Sequence, residues 1–347
     1  MKRMFALLIL PFILAGAAEC ANTPDVSAKS AVLLDAASGR VIFEKNADTS
    51  MLIASTTKIM TALTAIELCD MDCEVLIGPE AAGVEGSSMY LQAGQTRTCS
   101  ELLHGLMLMS GNDAAVALAI HCGGSVEGFV EQMNKKAQSL GLSDTYFENP
   151  HGLDGENHRS TAKDMARLTA AAMSNEKFAA IVSKRVARVG EISVRNHNRL
   201  LWMIEGCDGV KTGFTKKAGR CLVSSTSRDG CRIIAVTLDA PSDWSDHQKL
   251  VAYGFSEYSE SMKWKKGEQI AEIPVFSGER EFMPLIIGRD LNLCFTESEM
   301  KRAVVNIEFP HYLWAPVSGG STVGRITVTL DGKFIGETDV ITKTAVY

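Results

Sequence analysis

Between Asp208 and Ala240 three β-type runs, DGVKTGFT, RCLVSSTS and CRIIAVTLDA, follow one another with only short polar turns between them. Strands this closely spaced leave no room for a crossover helix, so they predict an antiparallel meander. Two further apolar runs, in SAVLLDAASGRVIFE from Ser30 to Glu44, flank Ala37-Ser38-Gly39 and predict a hairpin. Helical patterns fill the interval. One should begin near Ser55, with Ile59, Met60, Leu63, Ile66 and Leu68 on one face. SELLHGLMLMSGNDAAVALAIHCGG reads as two apolar helices broken near Ser110-Gly111-Asn112 and ended by Gly123-Gly124. STAKDMARLTAAAM starts another, with Thr161 and Asp164 near capping-box spacing. The fold class is therefore α+β: an antiparallel sheet flanked by helices.

After about Tyr258 the character changes. KWKKGEQIAEIPV is charged and then alternately apolar, and AVVNIEF, RITVTL and KFIGETDVI follow as short strands with no convincing helix. This predicts a small all-β C-terminal domain over 265–347 behind a larger unit over 21–258. Trp264 and Trp314 of that domain are read as core residues before interaction residues.

The chain begins with Lys2 and Arg3, then the apolar run MFALLILPFILAGAA from Met4 to Ala18, then small residues. That is the pattern of a secretory signal over 1–20, cleaved after Ala17 or Cys20. The run is short for a membrane span and is interrupted by Pro11 and Gly16. An exported chain can form disulfides, and without Cys20 eight cysteines remain. Their spacing matches no zinc pattern. Cys207 and Cys221 flank the expected hairpin and are the expected pair. With a formal net charge of -6, no long basic run and no Gly-rich phosphate loop, nothing suggests nucleic acid as a partner.

The chemistry is carried by short motifs. There is no G-x-S-x-G elbow and no H-E-x-x-H. Ser55 and Lys58 stand one turn apart at a helix start, where a lysine made neutral by burial can take the serine proton. The same S-x-x-K spacing recurs at Ser160–Lys163, Ser174–Lys177 and Ser298–Lys301, so spacing alone does not single out the first. Two other triplets do. Ser110-Gly111-Asn112 offers a hydroxyl that can relay a proton to a leaving amine, and an amide that can bind a substrate amide. Lys211-Thr212-Gly213, on a predicted strand, offers an ammonium and a hydroxyl for a carboxylate. Gly213 permits close approach of a ligand, and the Phe214 amide can join the Ser55 amide at an oxyanion.

In the order S-x-x-K, S-x-N, K-T-G these motifs resemble the penicillin-recognising serine enzymes of β-lactamase/transpeptidase-like fold. With NPHGLD from Asn149, STAKDMA from Ser160, NRLLW from Asn198 and DGVKTGFTKKAGRCLVSS from Asp208, the region from Ser30 to Phe255 resembles the D-alanyl-D-alanine carboxypeptidases of low molecular mass. The tail more loosely resembles that family's C-terminal β domain. The resemblance implies that Ser55 attacks the carbonyl between two D-alanines at the end of a peptidoglycan stem peptide. Lys58 takes its proton, Ser110 passes a proton to the departing D-alanine, Asn112 holds the peptide, and Lys211 and Thr212 grip the terminal carboxylate. It implies no metal or organic cofactor, and β-lactams as inhibitors that acylate Ser55. His151 is read as a loop-fixing residue rather than a general base, Arg199 as structural, and Asp154 and Glu156 receive no task.

Alternatives within the same fold are a β-lactamase, disfavoured because Gly111 replaces the aspartate of S-D-N, and an endopeptidase or transpeptidase. A wall-binding homologue with a decayed site is the alternative from a different class. The family's usual closing amphipathic helix is not seen in TDVITKTAVY, so membrane or cell-wall association is expected through the N-terminus or the β domain, if the protein is not released.

Overall fold

The computed structural model describes residues 23–347; the leader-like stretch 1–20 lies outside them. In chain order the first unit contains β1 (Ser30–Asp35), β2 (Val41–Lys45), a 3-10 turn (Ala54–Thr57) running into α1 (Lys58–Leu68), β3 (Glu74–Leu76), β4 (Thr96–Thr98) and α2 (Cys99–His104). A π-helical turn (Gly105–Met109) continues α2. Then come α3 (Asn112–Gly123), α4 (Val126–Ser139), α5 (Ala162–Met173), α6 (Glu176–Val182), β5 (Val186–Val189), β6 (Ile192–Arg195) and α7 (Leu200–Met203). The unit closes with β7 (Cys207–Thr215), β8 (Gly219–Arg228), β9 (Cys231–Leu238) and α8 (Asp243–Glu257). The expected hairpin and meander merge into one antiparallel sheet of order β2-β1-β9-β8-β7, with β7 on an edge.

Both faces of β1 and β9 are covered, which explains why these strands read as continuous apolar runs rather than alternating ones. On β1, Val32 and Leu34 join the large core on the helical side, and Ala31 and Leu33 join a second core under α8. β9 divides the same way, with Ile234 and Val236 on one side and Ile233 and Ala235 on the other. Within the larger core, α1 is buried all round from Lys58 through Ile66, whereas Leu68, expected on its apolar face, is 47% exposed. The predicted helix signals hold: Thr161 caps α5 by accepting from the Asp164 amide at 3.0 Å, and Gly124 ends α3 at φ +75°.

The C-terminal unit is all-β apart from one short helix. It holds β10 (Glu260–Trp264), β11 (Gln269–Phe276), β12 (Phe282–Ile287), β13 (Leu291–Phe295), α9 (Glu297–Met300), β14 (Ala303–Glu308), β15 (Leu313–Trp314), β16 (Thr322–Leu330) and β17 (Lys333–Thr342). β10 pairs with β13, and a six-stranded sheet runs β14-β16-β17-β12-β11-β15. The four-residue α9 departs from the expectation of no helix. It is too short to show a helical period, and a capping box between Thr296 and Glu299 supports it. Trp264 packs into the domain's apolar clusters as expected, whereas Trp314 stays 62% exposed beside Phe276 and Tyr312.

Arg40, in the turn after β1, ties the units together. Its guanidinium reaches the Cys294 carbonyl and Glu299 and lies over the rings of Phe295 and Tyr258. Beside it, Cys231 of β9 is joined to Cys294 of β13. A second disulfide links Cys69, after α1, to Cys122 in α3. The expected Cys207–Cys221 pair does not form. The β7–β8 register sets Cys207 opposite Thr226 and Cys221 opposite Gly213, at different levels of the ladder, and both thiols are free. Among the described residues no helix is long and apolar enough to cross a membrane.

Peptide mapping of the alkylated, non-reduced protein should return Cys69–Cys122 and Cys231–Cys294 crosslinks. A Cys207–Cys221 crosslink would contradict this pairing.

Candidate active site

The 3-10 turn places Ser55 at the head of α1, half-buried, with Lys58 one turn on and wholly buried. Lys58 Nζ lies 3.0 Å from Ser55 Oγ and donates to two carbonyl-type oxygens at 2.6 Å, Asn112 Oδ1 and the His151 backbone. Burial holds Lys58 well below the ordinary lysine range. The nearby Lys211 ammonium adds to the effect and Asp113 opposes it. The other S-x-x-K pairs lack this setting. Lys163 is ion-paired with Glu44 and Asp48, which raise its pKa, and Ser160 is buried against Thr145. Ser174 bonds back to the Ala170 carbonyl, and the exposed Lys301 pairs with Glu297.

Two segments brace the turn. The first is NPHGLD, where Thr61 Oγ1 donates to the Pro150 carbonyl at 2.6 Å and Asn149 Oδ1 accepts from the Gly152 amide at 2.7 Å. Gly152 sits at φ +88°, and a Cβ there would fall 2.0 Å from the Ala54 carbonyl oxygen, so no other residue fits without moving the turn. Ala54 itself holds φ +46°, a strained conformation for alanine immediately before Ser55. His151 fixes the loop as expected, its Nδ1 accepting from the Leu153 amide at 3.2 Å. Burial takes His151, and His158 beside Thr57, down to about 4. Asp154, to which sequence gave no task, accepts from Thr215 Oγ1 at 2.7 Å and ties the loop to β7.

The second segment is the break between the helices. Ser110 takes a left-handed conformation, φ +64°, at the end of the π turn, and α3 begins at Asn112. Asp113, which sequence reading passed over, is fully buried and accepts from the Met89 and Leu91 amides and from Ser88 Oγ. It thereby holds the 87–91 loop against the site. Its only sequence signal is its place next to Ser110-Gly111-Asn112.

The third motif lies on the edge strand β7. A Cβ on Gly213 would sit 3.1 Å from the amide nitrogens of Ser55 and Thr56, so a side chain there would press into the Ser55 turn. Lys211 is 1% exposed, donates to the Thr212 carbonyl at 2.8 Å, and is drawn by burial to about 7. A cleft of roughly 320 Å³ is lined by Ser55, Ser110, Thr212, Gly213 and Phe214, and additionally by Ser87, His197, Arg220, Asp243 and Trp244, none of which the motifs indicated. Lys58, Asn112 and Lys211 stand behind its wall. A larger depression of about 590 Å³ around Ser143–Tyr146 and Arg159 contains none of these groups.

A buried lysine beside a serine, at the head of a helix and facing a sheet edge, fits a serine hydrolase. The family comparisons agree. Residues 17–242 match the model of the D-alanyl-D-alanine carboxypeptidases, and residues 258–347 that of the penicillin-binding protein 5 C-terminal domain. The chain belongs to the D-alanyl-D-alanine carboxypeptidase family. It is 32% identical to the D-alanyl-D-alanine carboxypeptidase DacF of Bacillus subtilis, over 99% of this chain and 94% of that one. It is 35% identical to DacC of Escherichia coli, over 97% and 88%. The crystal structure of penicillin binding protein 5 from Haemophilus influenzae superposes with a TM-score of 0.71 at 32% identity, covering 93% of this chain and 98% of that one.

His151 and His158 are depressed in the folded state, so the unfolded chain binds more protons between about pH 6.5 and 4. The stability they contribute is complete above that window and is lost as pH falls through it. Urea midpoints measured at pH 7, 5.5 and 4.5 should fall in that order, and His158→Gln should flatten the decline. A midpoint constant across the window would contradict buried, neutral imidazoles.

Proposed function

We propose that the protein, exported after removal of 1–20, is a carboxypeptidase that removes the terminal D-alanine from peptidoglycan stem peptides ending in D-alanyl-D-alanine. Its catalytic domain spans 21–258; its β-rich domain, drawn at 265–347 from the sequence, is preceded by β10, which pairs with β13 and belongs to the same unit. The observation that carries this reading is the set of partners around Lys58 Nζ. Asn112 Oδ1 and the His151 carbonyl can only accept, so a neutral amine spends both N–H groups on them. Its lone pair then faces Ser55 Oγ at 3.0 Å, positioned to take the hydroxyl proton.

That geometry supports the following reaction. Ser55 Oγ bonds to the carbonyl carbon between the two D-alanines as Lys58 receives the proton. The Ser55 and Phe214 amides hold the oxyanion, Asn112 holds the peptide, and Thr212, with Lys211 buried behind it, marks the end of the cleft that receives the terminal carboxylate. The C–N bond breaks as Ser110 passes a proton to the departing amine. Water then cleaves the acyl-enzyme and regenerates Ser55. The shortened peptide can no longer donate in cross-linking. β-Lactams acylate Ser55 by the same attack, with no amine free to leave.

Location outside the cytoplasm is supported by the leader-like start and by two disulfides in the folded chain. The β-rich domain, with Trp314 exposed, is the element we assign to wall or membrane association.

Protein lacking 1–20, incubated with a diacetylated tripeptide ending in D-alanyl-D-alanine, should release free D-alanine. Ser55→Ala should abolish both release and covalent labelling by a fluorescent penicillin. Labelling without release would move the assignment to a transpeptidase or endopeptidase of the same fold, and neither would move it to a wall-binding homologue.

A further inference from the structure

Four cysteines gather at the end of α3 remote from Asn112. Cys122, in the last turn of α3, is joined to Cys69, which directly follows α1. Cys73 and Cys99 are free, and the Cys73 Sγ lies 3.4 Å from Nε2 of His121, the residue before Cys122. Among the described residues no group of His, Cys, Asp and Glu side chains is arranged to hold a metal ion.

The β3–β4 register brings the two free thiols together. Val75 pairs with Arg97 and Glu74 with Thr98, so Cys73 comes opposite Cys99, and the Cys99 amide donates to the Cys73 carbonyl at 2.9 Å. Opposed residues of this kind have Cα atoms about 5.5 Å apart and side chains on one face, within the span of a disulfide. The two differ in access. Cys99 is fully buried, and burial, followed by the Cys73 sulfur, pushes its thiol up to about 12. Cys73 is half-buried beside the exposed His121.

This pair sits at the base of a loop that reaches the cleft. β3 and β4 form a two-stranded sheet of their own, a unit that is marginal without further support. The segment 77–95 between them gives the Ser87 carbonyl to the Asn112 amide at 2.7 Å and the Glu85 carbonyl to Asn112 Nδ2, and Ser87 lines the cleft. Asp113 holds the Met89 and Leu91 amides of the same segment. The base of the loop is closed by the short ladder, and Cys73 and Cys99 form its next rung outward.

We propose that Cys73 and Cys99 are an oxidisable pair, which a small organic disulfide converts into a third disulfide that latches the base of the 77–95 loop. Cys73, the accessible thiol, reacts first. His121 takes its proton, the thiolate bonds to one sulfur of the oxidant, and the oxidant's S–S bond breaks, releasing a thiolate that recovers the proton from His121. The Cys99 sulfur then bonds to Cys73 Sγ, the mixed disulfide breaks, and the second thiol leaves with the Cys99 proton. Two protein thiols are oxidised and one disulfide is reduced to two thiols. The latch acts on the site through the loop: it fixes the segment whose Glu85 and Ser87 carbonyls hold Asn112.

The test treats protein lacking 1–20 with oxidised glutathione and maps it without reduction by mass spectrometry, beside Cys73→Ser and Cys99→Ala, with circular dichroism to confirm folding. After treatment the wild type should carry a Cys73–Cys99 crosslink and keep Cys207 and Cys221 free. Cys99→Ala should instead hold glutathione on Cys73, and Cys73→Ser should hold none on the buried Cys99. Amide hydrogen exchange over 74–98 should be roughly 10- to 100-fold slower in treated wild type than in treated Cys73→Ser. The urea concentration at which Ser55 ceases to be labelled by a fluorescent penicillin should be higher in the wild type as well. Cys73→Ser, at the half-buried position, carries the comparison if Cys99→Ala does not fold. Thiols that stay free at Cys73 and Cys99, a crosslink from Cys73 to Cys69 or Cys122, or a Cys73–Cys99 crosslink that leaves exchange unchanged would each overturn the latch.

Discussion

A lysine amine with no exposed surface, set 3.0 Å from a serine hydroxyl, is the feature on which the rest of the site depends. Burying an ammonium is unfavourable unless its donors are satisfied, and a lysine so buried tends to give up its proton instead. Here the remaining partners are two carbonyl-type oxygens supplied by segments distant in sequence, α3 and the NPHGLD loop. The Ser55 turn, the helix break and that loop must therefore all be in place before Lys58 has its environment. Gly152 pressed against the Ala54 carbonyl, and Asp113 gathering the 87–91 loop, are the local consequences of that requirement.

The sheet supplies the other half. Because β1 and β9 are covered on both faces they are fixed within the core, and the meander leaves β7 as the free edge where an extended peptide can lie. Gly213 lets that edge approach the Ser55 turn closely. The pieces of the cleft thus come from opposite sides of one edge: Ser55 and Ser110 from the helical side, Thr212 and Arg220 from the face shared with α8. Arg40 and the Cys231–Cys294 disulfide hold the β-rich domain to the sheet.

Much of this was legible in the sequence because it is local or motif-borne. The meander, the helix starting near Ser55, the break at Ser110-Gly111-Asn112 and the Thr161 cap rest on neighbouring residues, and each appears where expected. Ser55, Ser110, Thr212, Gly213 and Phe214 line one cleft, with Lys58, Asn112 and Lys211 directly behind it. What escaped depends on distant contacts. Cys231 and Cys294 pair across the domain boundary, whereas the nearer Cys207 and Cys221 are kept apart by strand register. Arg220 looks like any strand-end arginine until α8 brings Asp243 beside it, and the task of Asp154 appears only when Thr215 arrives from β7.

The central claim is that Lys58 is neutral enough, near neutral pH, to serve as the base. The most direct measurement is the second-order rate of Ser55 acylation by a fluorescent penicillin as a function of pH, in the wild type and in Lys58→Arg. The wild-type rate should be near its plateau at neutral pH and fall only on the acid side, and Lys58→Arg, whose guanidinium stays protonated, should show no such limb and little acylation. A wild-type rate that keeps climbing towards the ordinary lysine range, about pH 10, would contradict it.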